Sequence, residues 1–241
     1  MHRFFTIIPT YNEIENIHSI ISAVLEQGPM FNVLVVDDNS PDGTAEAVSE
    51  LMQKEPRIFL HRRKGKLGLG TAYIEGFKKS LELGATHIFE MDADFSHNPS
   101  DLNRLVQPIL DGTADVTIGS RYTRGGGIKN WPADRLILSY GASLYVKMIT
   151  WMPVKDPTAG FICYKSEVLR SITLEKISFL GYAFQIEMKY ACWKKGFRLK
   201  EVPIVFSDRV KGKSKMHSGI ISEAIMGVLN LKWRGLTGYY D

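Results

Sequence analysis

Asp92 and Asp94 stand two residues apart in the run His87-Ile-Phe-Glu-Met-Asp-Ala-Asp-Phe-Ser96, behind apolar residues that read as a buried strand. Along an extended chain alternate side chains share a side, so both carboxylates are expected to emerge together where the strand ends. Two carboxylates so close repel each other unless a cation sits between them. Hard oxygen donors favour Mg²⁺ or Mn²⁺, ions that keep positions open for phosphate oxygens. A solvated strand end leading into a helix cap is the competing reading of a D-x-D taken alone. The rest of the chain has to decide between them.

The elements around this pair set where other reactive groups fall. Buried strands are expected at 4–10, 32–38, 58–62, 87–91, 115–119, 161–164 and 200–206. Amphipathic helices are expected from residue 14 and over 44–54, 71–83, 99–110, 136–152, 183–195 and 219–233. Strands alternating with helices imply an α/β fold, a mostly parallel sheet with helices on both faces, and ligands of such sheets sit beyond the carboxyl ends of the strands. That puts residues 9–13, residues 37–42, Lys66, Asp92, Asp94 and Arg121 along one rim. Asp42 reads as a turn and capping residue, Asp156 and Thr158 as turn formers with a supporting role open, and His87 and His97 as structural. Gly65–Gly70 has neither the dinucleotide-binding spacing nor the P-loop ending. A diphosphate beside the acidic strand ends needs a bridging metal, which also acts as Lewis acid on a departing nucleoside diphosphate.

Composition narrows the class. The 241 residues are 44% hydrophobic, enough for one large or two small globular domains. A formal net charge of +4 is too small to argue for nucleic acid, although basic residues cluster at 62–66 and 209–215, where they meet phosphates or are simply solvated. Cys163 and Cys192 lack metal-ligand spacing and read as buried thiols in a reducing compartment. The apolar start is too short for a signal peptide, and no stretch approaches the roughly 20 apolar residues of a membrane span. A cytoplasmic protein is the expectation.

Seven motifs in order carry a resemblance: Pro9-Thr-Tyr11-Asn-Glu13, Val36-Asp37-Asp38-Asn-Ser-Pro-Asp42-Gly43-Thr44, Lys66-Leu-Gly-Leu-Gly-Thr-Ala-Tyr73, Met91-Asp92-Ala93-Asp94, Gly119-Ser-Arg121-Tyr122, Tyr182-x-Phe184-Gln185-x-Glu187 and Asp208-Arg209-Val-x-Gly212-x-Ser214-Lys215. Together they resemble dolichyl-phosphate (polyprenyl-phosphate) mannosyltransferases, which are inverting GT-A-type glycosyltransferases. The resemblance implies a single GT-A-type domain, with 1–121 as the nucleotide-sugar-binding half, 122–217 as the acceptor and sugar half, and 218–241 as a C-terminal amphipathic helix. It implies transfer of mannose from GDP-mannose to the phosphate of a polyprenyl phosphate. Pro9, Tyr11, Glu13, Val36 and Asp38 would hold the nucleoside, and Asp92, Ala93 and Asp94 the metal and diphosphate. Arg121, Arg209 and Lys215 would neutralise phosphate charge, Arg135 would meet the acceptor phosphate, and Gln185 and Glu187 the sugar hydroxyls. Ser96 stands where some members carry a metal-ligating Gln, so its hydroxyl or a water fills that position.

A phosphate monoester has a second pKa of about 6 and is largely dianionic at neutral pH, so the acceptor needs no protein base. The site must instead bring two anions together, which calls for the metal and for arginines with their forked donors. Residues 211–215 suit a lid over the diphosphate. A UDP-glucose-dependent polyprenyl-phosphate transferase and a non-catalytic nucleotide-sugar-binding subunit remain as alternatives. An acceptor with a lipid tail places the enzyme at a membrane surface, peripherally on its cytoplasmic face, through an anchoring partner or by direct contact. The apolar C-terminal helix either packs on its own core or touches lipid through Trp233, Arg234, Tyr239 and Tyr240.

Overall fold

The computed structural model describes residues 2–181, 183–208 and 219–240, with the backbone alone for 219–225. In chain order the elements are β1 (Phe4–Thr10), α1 (Ile14–Leu25), β2 (Phe31–Asp37), α2 (Thr44–Met52), β3 (Ile58–Arg62), α3 (Leu69–Glu82) and β4 (His87–Glu90). A 3-10 turn, Pro99–Asp101, leads into α4 (Leu102–Leu110), followed by β5 (Val116–Ser120), β6 (Gly127–Lys129), α5 (Ala133–Thr150), β7 (Ile162–Lys165) and α6 (Ser166–Ser171). Then come α7 (Ala183–Lys194), β8 (Leu199–Pro203), β9 (Val205–Ser207) and α8 (Gly219–Leu236).

Seven strands form one sheet in the order β3-β2-β1-β4-β7-β5-β8, parallel throughout except for β7, which runs antiparallel to both its neighbours. The central strands are continuous apolar runs because both faces are covered. Alternation sends Phe5, Ile7, Leu34 and Val36 to one face, against α3, α7 and α8, and Phe4, Ile8, Val33 and Val35 to the other, against α1, α2 and α4. This is the expected α/β architecture with helices on both sides.

Three local expectations are corrected. The strand expected over 200–206 breaks at Ile204, and its second part, β9, leaves the sheet to pair parallel with β6, where a loop was expected. The short helix α6 was not anticipated; at six residues it is too brief to show a helical period. Helix α5 starts at Ala133, three residues early, which puts Arg135 on its first turn.

His87 heads β4 with its ring against Phe4 at 5.1 Å and His2 at 5.4 Å. Burial first, and then the charges of His2 and Lys165, push its pKa down to about 4. The unfolded chain, with an imidazole pKa near 6.5, binds a proton that the native ring refuses. Stability from this group is therefore complete above pH 6.5 and is lost as pH falls towards 4. Urea unfolding should show a loss of about 1–2 kcal/mol between pH 7 and pH 5 from His87. His87→Phe should flatten that stretch of the curve; an unchanged slope would refute the assignment.

Candidate active site

At one end of the rim, Asp37 ties the loops that leave β1 and β2. Its Oδ1 accepts from Thr10 Oγ1 at 2.9 Å and Ser40 Oγ at 2.6 Å, and its Oδ2 from the Ser40 N–H at 2.9 Å. The Asn12 N–H donates to Ser40 Oγ at 3.0 Å. Both loops turn through a left-handed asparagine, Asn12 and Asn39, each at φ 58°, a conformation that Asn tolerates better than most residues. Beside Asp37, Asp38 accepts from Arg63 Nη1 at 2.6 Å, while Arg63 Nε donates to Glu75 Oε1 at 3.0 Å. Burial raises the Asp38 carboxyl above the usual carboxylate range, with Arg63 pulling the other way. Lys66 Nζ lies 5.2 Å from the centre of the Tyr11 ring. A fixed acid near an aromatic face is chemistry suited to a flat base with N–H donors.

In the middle of the rim, β4 stops at Glu90, level with Ile7 of β1. Asp92 and Asp94 therefore stand on the turn beyond the strand, and strand alternation does not orient them. The turn passes through Phe95 at φ 60°, a strained position for a bulky side chain. Asp94 is buried and accepts the Ser96 N–H at 3.0 Å, while Asp92 keeps 40% of its side chain exposed. The Asp92 N–H donates to His97 Nδ1 at 3.2 Å. That bond needs the neutral tautomer with its proton on Nε2, and burial keeps the ring neutral by pushing the His97 pKa down to about 4. Ser96 Oγ is buried without a hydrogen-bond partner. Tyr73 is fully buried nearby, its phenol raised well above the ordinary range by burial and then by the charge of Asp92.

Beneath the turn lies a polar floor. Glu90 accepts from Tyr164 Oη at 2.7 Å and from Gln185 Nε2, whose partner atom Oε1 is buried and unpaired. Burial pushes the Glu90 carboxyl up to about 7 against those two donors. Lys189, fully buried, donates to the carbonyls of Pro157 at 3.1 Å, Ala159 at 2.6 Å and Gln185 at 2.9 Å. Arg121 grips Asp156 with two prongs, Nε to Oδ2 at 2.8 Å and Nη2 to Oδ1 at 2.6 Å, and Nη2 also donates to Thr158 Oγ1 at 2.8 Å. At the far end Arg135 lies 3.9 Å from the centre of the Trp131 ring and donates to Asp208 at 3.2 Å.

With this geometry in view, residues 6–173 match Glycosyl transferase family 2. The chain belongs to that family. It is 42% identical over 238 residues, 97% of both chains, to the undecaprenyl-phosphate mannosyltransferase of Micrococcus luteus. It is 43% identical over 234 residues to the polyprenol monophosphomannose synthase of Mycolicibacterium smegmatis, covering 97% of this chain and 88% of that one. Among solved structures, a mannosyltransferase from Pyrobaculum calidifontis in complex with GDP-Man and Mn²⁺ superposes with a TM-score of 0.57 at 17% identity, over 98% of this chain and 74% of that one. At that identity the likeness concerns the fold, and the fold is GT-A.

In this family 2 glycosyltransferase the rim gathers Pro9, Tyr11, Glu13, Asp38, Asp92, Ala93 and Asp94 at the ends of β1, β2 and β4, as the alternation of elements implied. The donor set suits a hard divalent cation: two carboxylates and the orphaned Ser96 hydroxyl. Among the described residues no group of three or more His, Cys, Asp or Glu side chains could hold a metal, so a cation held here would draw the rest of its shell from water or a ligand. Val36 has its side chain wholly in the core, which leaves only its backbone to a ligand. Arg121 is committed to Asp156 rather than presented to solvent. Arg209 and Lys215, and with them the expected lid, lie outside the described residues.

Glu187, expected to meet sugar hydroxyls, is buried and engaged by the protein itself: it accepts the N–H groups of Ser178 at 2.8 Å and Phe179 at 2.9 Å and the Tyr240 hydroxyl at 2.8 Å. Tyr240 and Arg234, expected as lipid contacts, are tied inward by the same carboxylate. Sequence reasoning missed Arg63, taking it as one of a basic run; alternation along β3 carried the signal, since Arg62 reaches out to Glu46 while Arg63 turns inward. Nothing in the sequence marked the Arg121–Asp156 clamp.

Glu187→Ala would leave the backbone N–H groups of Ser178 and Phe179 and the buried Tyr240 hydroxyl without this acceptor. Its unfolding free energy should fall by about 2–4 kcal/mol in urea titrations, with the KM for nucleotide sugar unchanged in the folded fraction. A raised KM at undiminished stability would return Glu187 to the site.

Proposed function

We propose that this glycosyltransferase transfers mannose from GDP-mannose to the phosphate of a polyprenyl phosphate. The observation that carries the reading is its 42% identity, over 97% of both chains, to a protein named undecaprenyl-phosphate mannosyltransferase. The Pyrobaculum complex with GDP-Man and Mn²⁺ supports the donor and a divalent ion for this fold.

On this reading Asp38, steadied by Arg63, and Tyr11 receive the guanosine, with Pro9 and Glu13 beside them. Asp92 and Asp94, with Ser96 near, would hold Mg²⁺ or Mn²⁺, which supplies positive charge for the departing diphosphate. Gln185 is oriented by Glu90, so its unpaired Oε1 is the acceptor atom offered to a sugar hydroxyl. Arg135, steadied on Trp131, receives the acceptor phosphate, which competes with Asp208 for the guanidinium. Arg209 and Lys215 are further candidates to neutralise phosphate. The acceptor dianion attacks the anomeric carbon on the face opposite the diphosphate; the new C–O bond forms as the bond to GDP breaks, with inversion. No side chain has to remove a proton, which agrees with His97 and Glu90 being buried and hydrogen-bonded.

Incubating the enzyme with a short polyprenyl phosphate and GDP-mannose should yield mannosyl lipid with divalent cation and none with chelator, and UDP-glucose should be a poor donor. Asp94→Ala should lower kcat/KM by roughly 10²-fold or more with an unaltered circular-dichroism melt. Wild-type turnover in that variant would sink the role of Asp94, and preference for UDP-glucose would overturn the donor.

A further inference from the structure

His97 is 3% accessible, in a place that any apolar ring of its size could fill. Its ring stacks on Phe161, with centres 4.9 Å and planes 17° apart, and meets the Phe206 ring edge-on at 5.5 Å. Phe161 follows the turn that Asp156 holds, and Phe206 belongs to β9, so two pieces of chain outside its own loop grip the imidazole. A phenylalanine would satisfy that packing and bury no polar atom. Packing alone therefore gives no reason for an imidazole.

The reason is Nδ1. The chain leaves β4 through Met91, whose N–H donates to the Ile7 carbonyl at 3.2 Å, and runs Asp92-Ala-Asp-Phe-Ser-His97 before the 3-10 turn begins at Pro99. His97 folds back from the end of this stretch, so that Nδ1 accepts the Asp92 N–H at its start at 3.2 Å. Between them Phe95 holds φ 60°, a conformation that persists only where neighbours over-determine it. Two further bonds bear on the turn, from the Ser96 N–H to Asp94 Oδ1 at 3.0 Å and from the Ser207 N–H to the Ser96 carbonyl at 3.3 Å. The first uses a carboxylate oxygen of Asp94, and the second holds only the far end. The bond to His97 closes the turn at Asp92 and uses no carboxylate oxygen. Other roles fit the ring less well: Nδ1 is taken by a backbone donor and lies 3.9 Å from Asp92 Oδ2, and a general base would need access that the ring lacks.

We propose that His97 is a positioning residue, whose Nδ1 holds the backbone of Asp92 and with it the turn to Ser96, in the arrangement that presents Asp92 and Asp94 to a divalent cation. The inference rests on the reading that these two acids bind such an ion, and adds the side chain that sets their geometry. Phe161 and Phe206 hold the ring, and the ring holds the turn.

The test separates the nitrogen from the ring. His97→Phe keeps the stack and removes the acceptor, whereas His97→Asn keeps an acceptor oxygen close to the place of Nδ1 and removes most of the stack. Binding of Mn²⁺ alone to the full chain is followed by water-proton relaxation, and unfolding by a circular-dichroism melt. His97→Phe should bind Mn²⁺ about tenfold more weakly than wild type and His97→Asn within about twofold of it, while His97→Phe melts above His97→Asn. A purely structural role would put the two variants in the same order in both measurements. Wild-type affinity in His97→Phe, or losses of affinity that follow the melting temperatures, would overturn the proposal. Should His97→Phe not fold, His97→Asn decides alone: near-wild-type affinity in a less stable chain supports the role, and weak binding overturns it. Wild-type chain that takes up no Mn²⁺ would overturn the metal reading and this proposal together. Mn²⁺ uptake that depends on Nδ1, without mannose transfer, would sink the proposed reaction and leave His97 in its role.

Discussion

The floor of the crevice depends on a two-pronged ion pair with almost no water on either side, Arg121 to Asp156. A charge buried so deeply is tolerable only when met, and removing one partner of such a pair costs about 3–5 kcal/mol. Meeting it fixes three pieces of chain at once: the end of β5, the turn that feeds β7, and Trp131, whose ring lies 5.8 Å from the guanidinium. The same turn is held from below by Lys189 through the carbonyls of Pro157 and Ala159, and from the side by Glu201, which accepts the Asp156 N–H at 3.0 Å. The turn is rigid because Arg121, Asp156 and Lys189 each meet more than one partner there, so few alternative arrangements are available without breaking several bonds together.

That arrangement shapes the electrostatics above it. Three arginines along the crevice each reach a carboxylate: Arg63 to Asp38, Arg121 to Asp156 and Arg135 to Asp208. On the reaction proposed above, a diphosphate would meet these three cations already engaged, and acids at the centre of the rim. Its charge would be offset by an added ion, by an exchange of partners at the more exposed pair, or by the further candidates Arg209 and Lys215. The most exposed of the three is Arg135–Asp208, at the end of the crevice where the acceptor is proposed to enter.

Much of this was legible from the sequence, and the reasons differ by level. Strand and helix order came through because β1, β2 and β4 are buried runs broken only at Pro9, and because α1 and α4 carry one clean apolar stripe each. The rim followed from the topology of a parallel sheet alone. What failed was side-chain direction inside α7, where burial on all sides removes the polar-outward signal. Gln185 and Glu187 looked equivalent in sequence, yet one faces Glu90 at the rim and the other faces the C-terminus, since two residues turn a helix by roughly 200°. Asp156 looked like a turn former because the partner that defines it lies 35 residues away. β6 and β9 are three residues long, too short to carry any period.

The reversed strand β7 has an architectural consequence. Every other strand of the main sheet delivers to the rim the loop that follows it; β7 delivers the loop that precedes it. The segment between β5 and β7 therefore departs from the rim and returns to it, with both its ends anchored at the mouth: one at Arg121, the other at Asp156. Such a segment is a cassette. Helix α5 and its approaches can be lengthened, shortened or exchanged for another chain's version while the nucleotide end, built by β1, β2 and β4, keeps its own geometry.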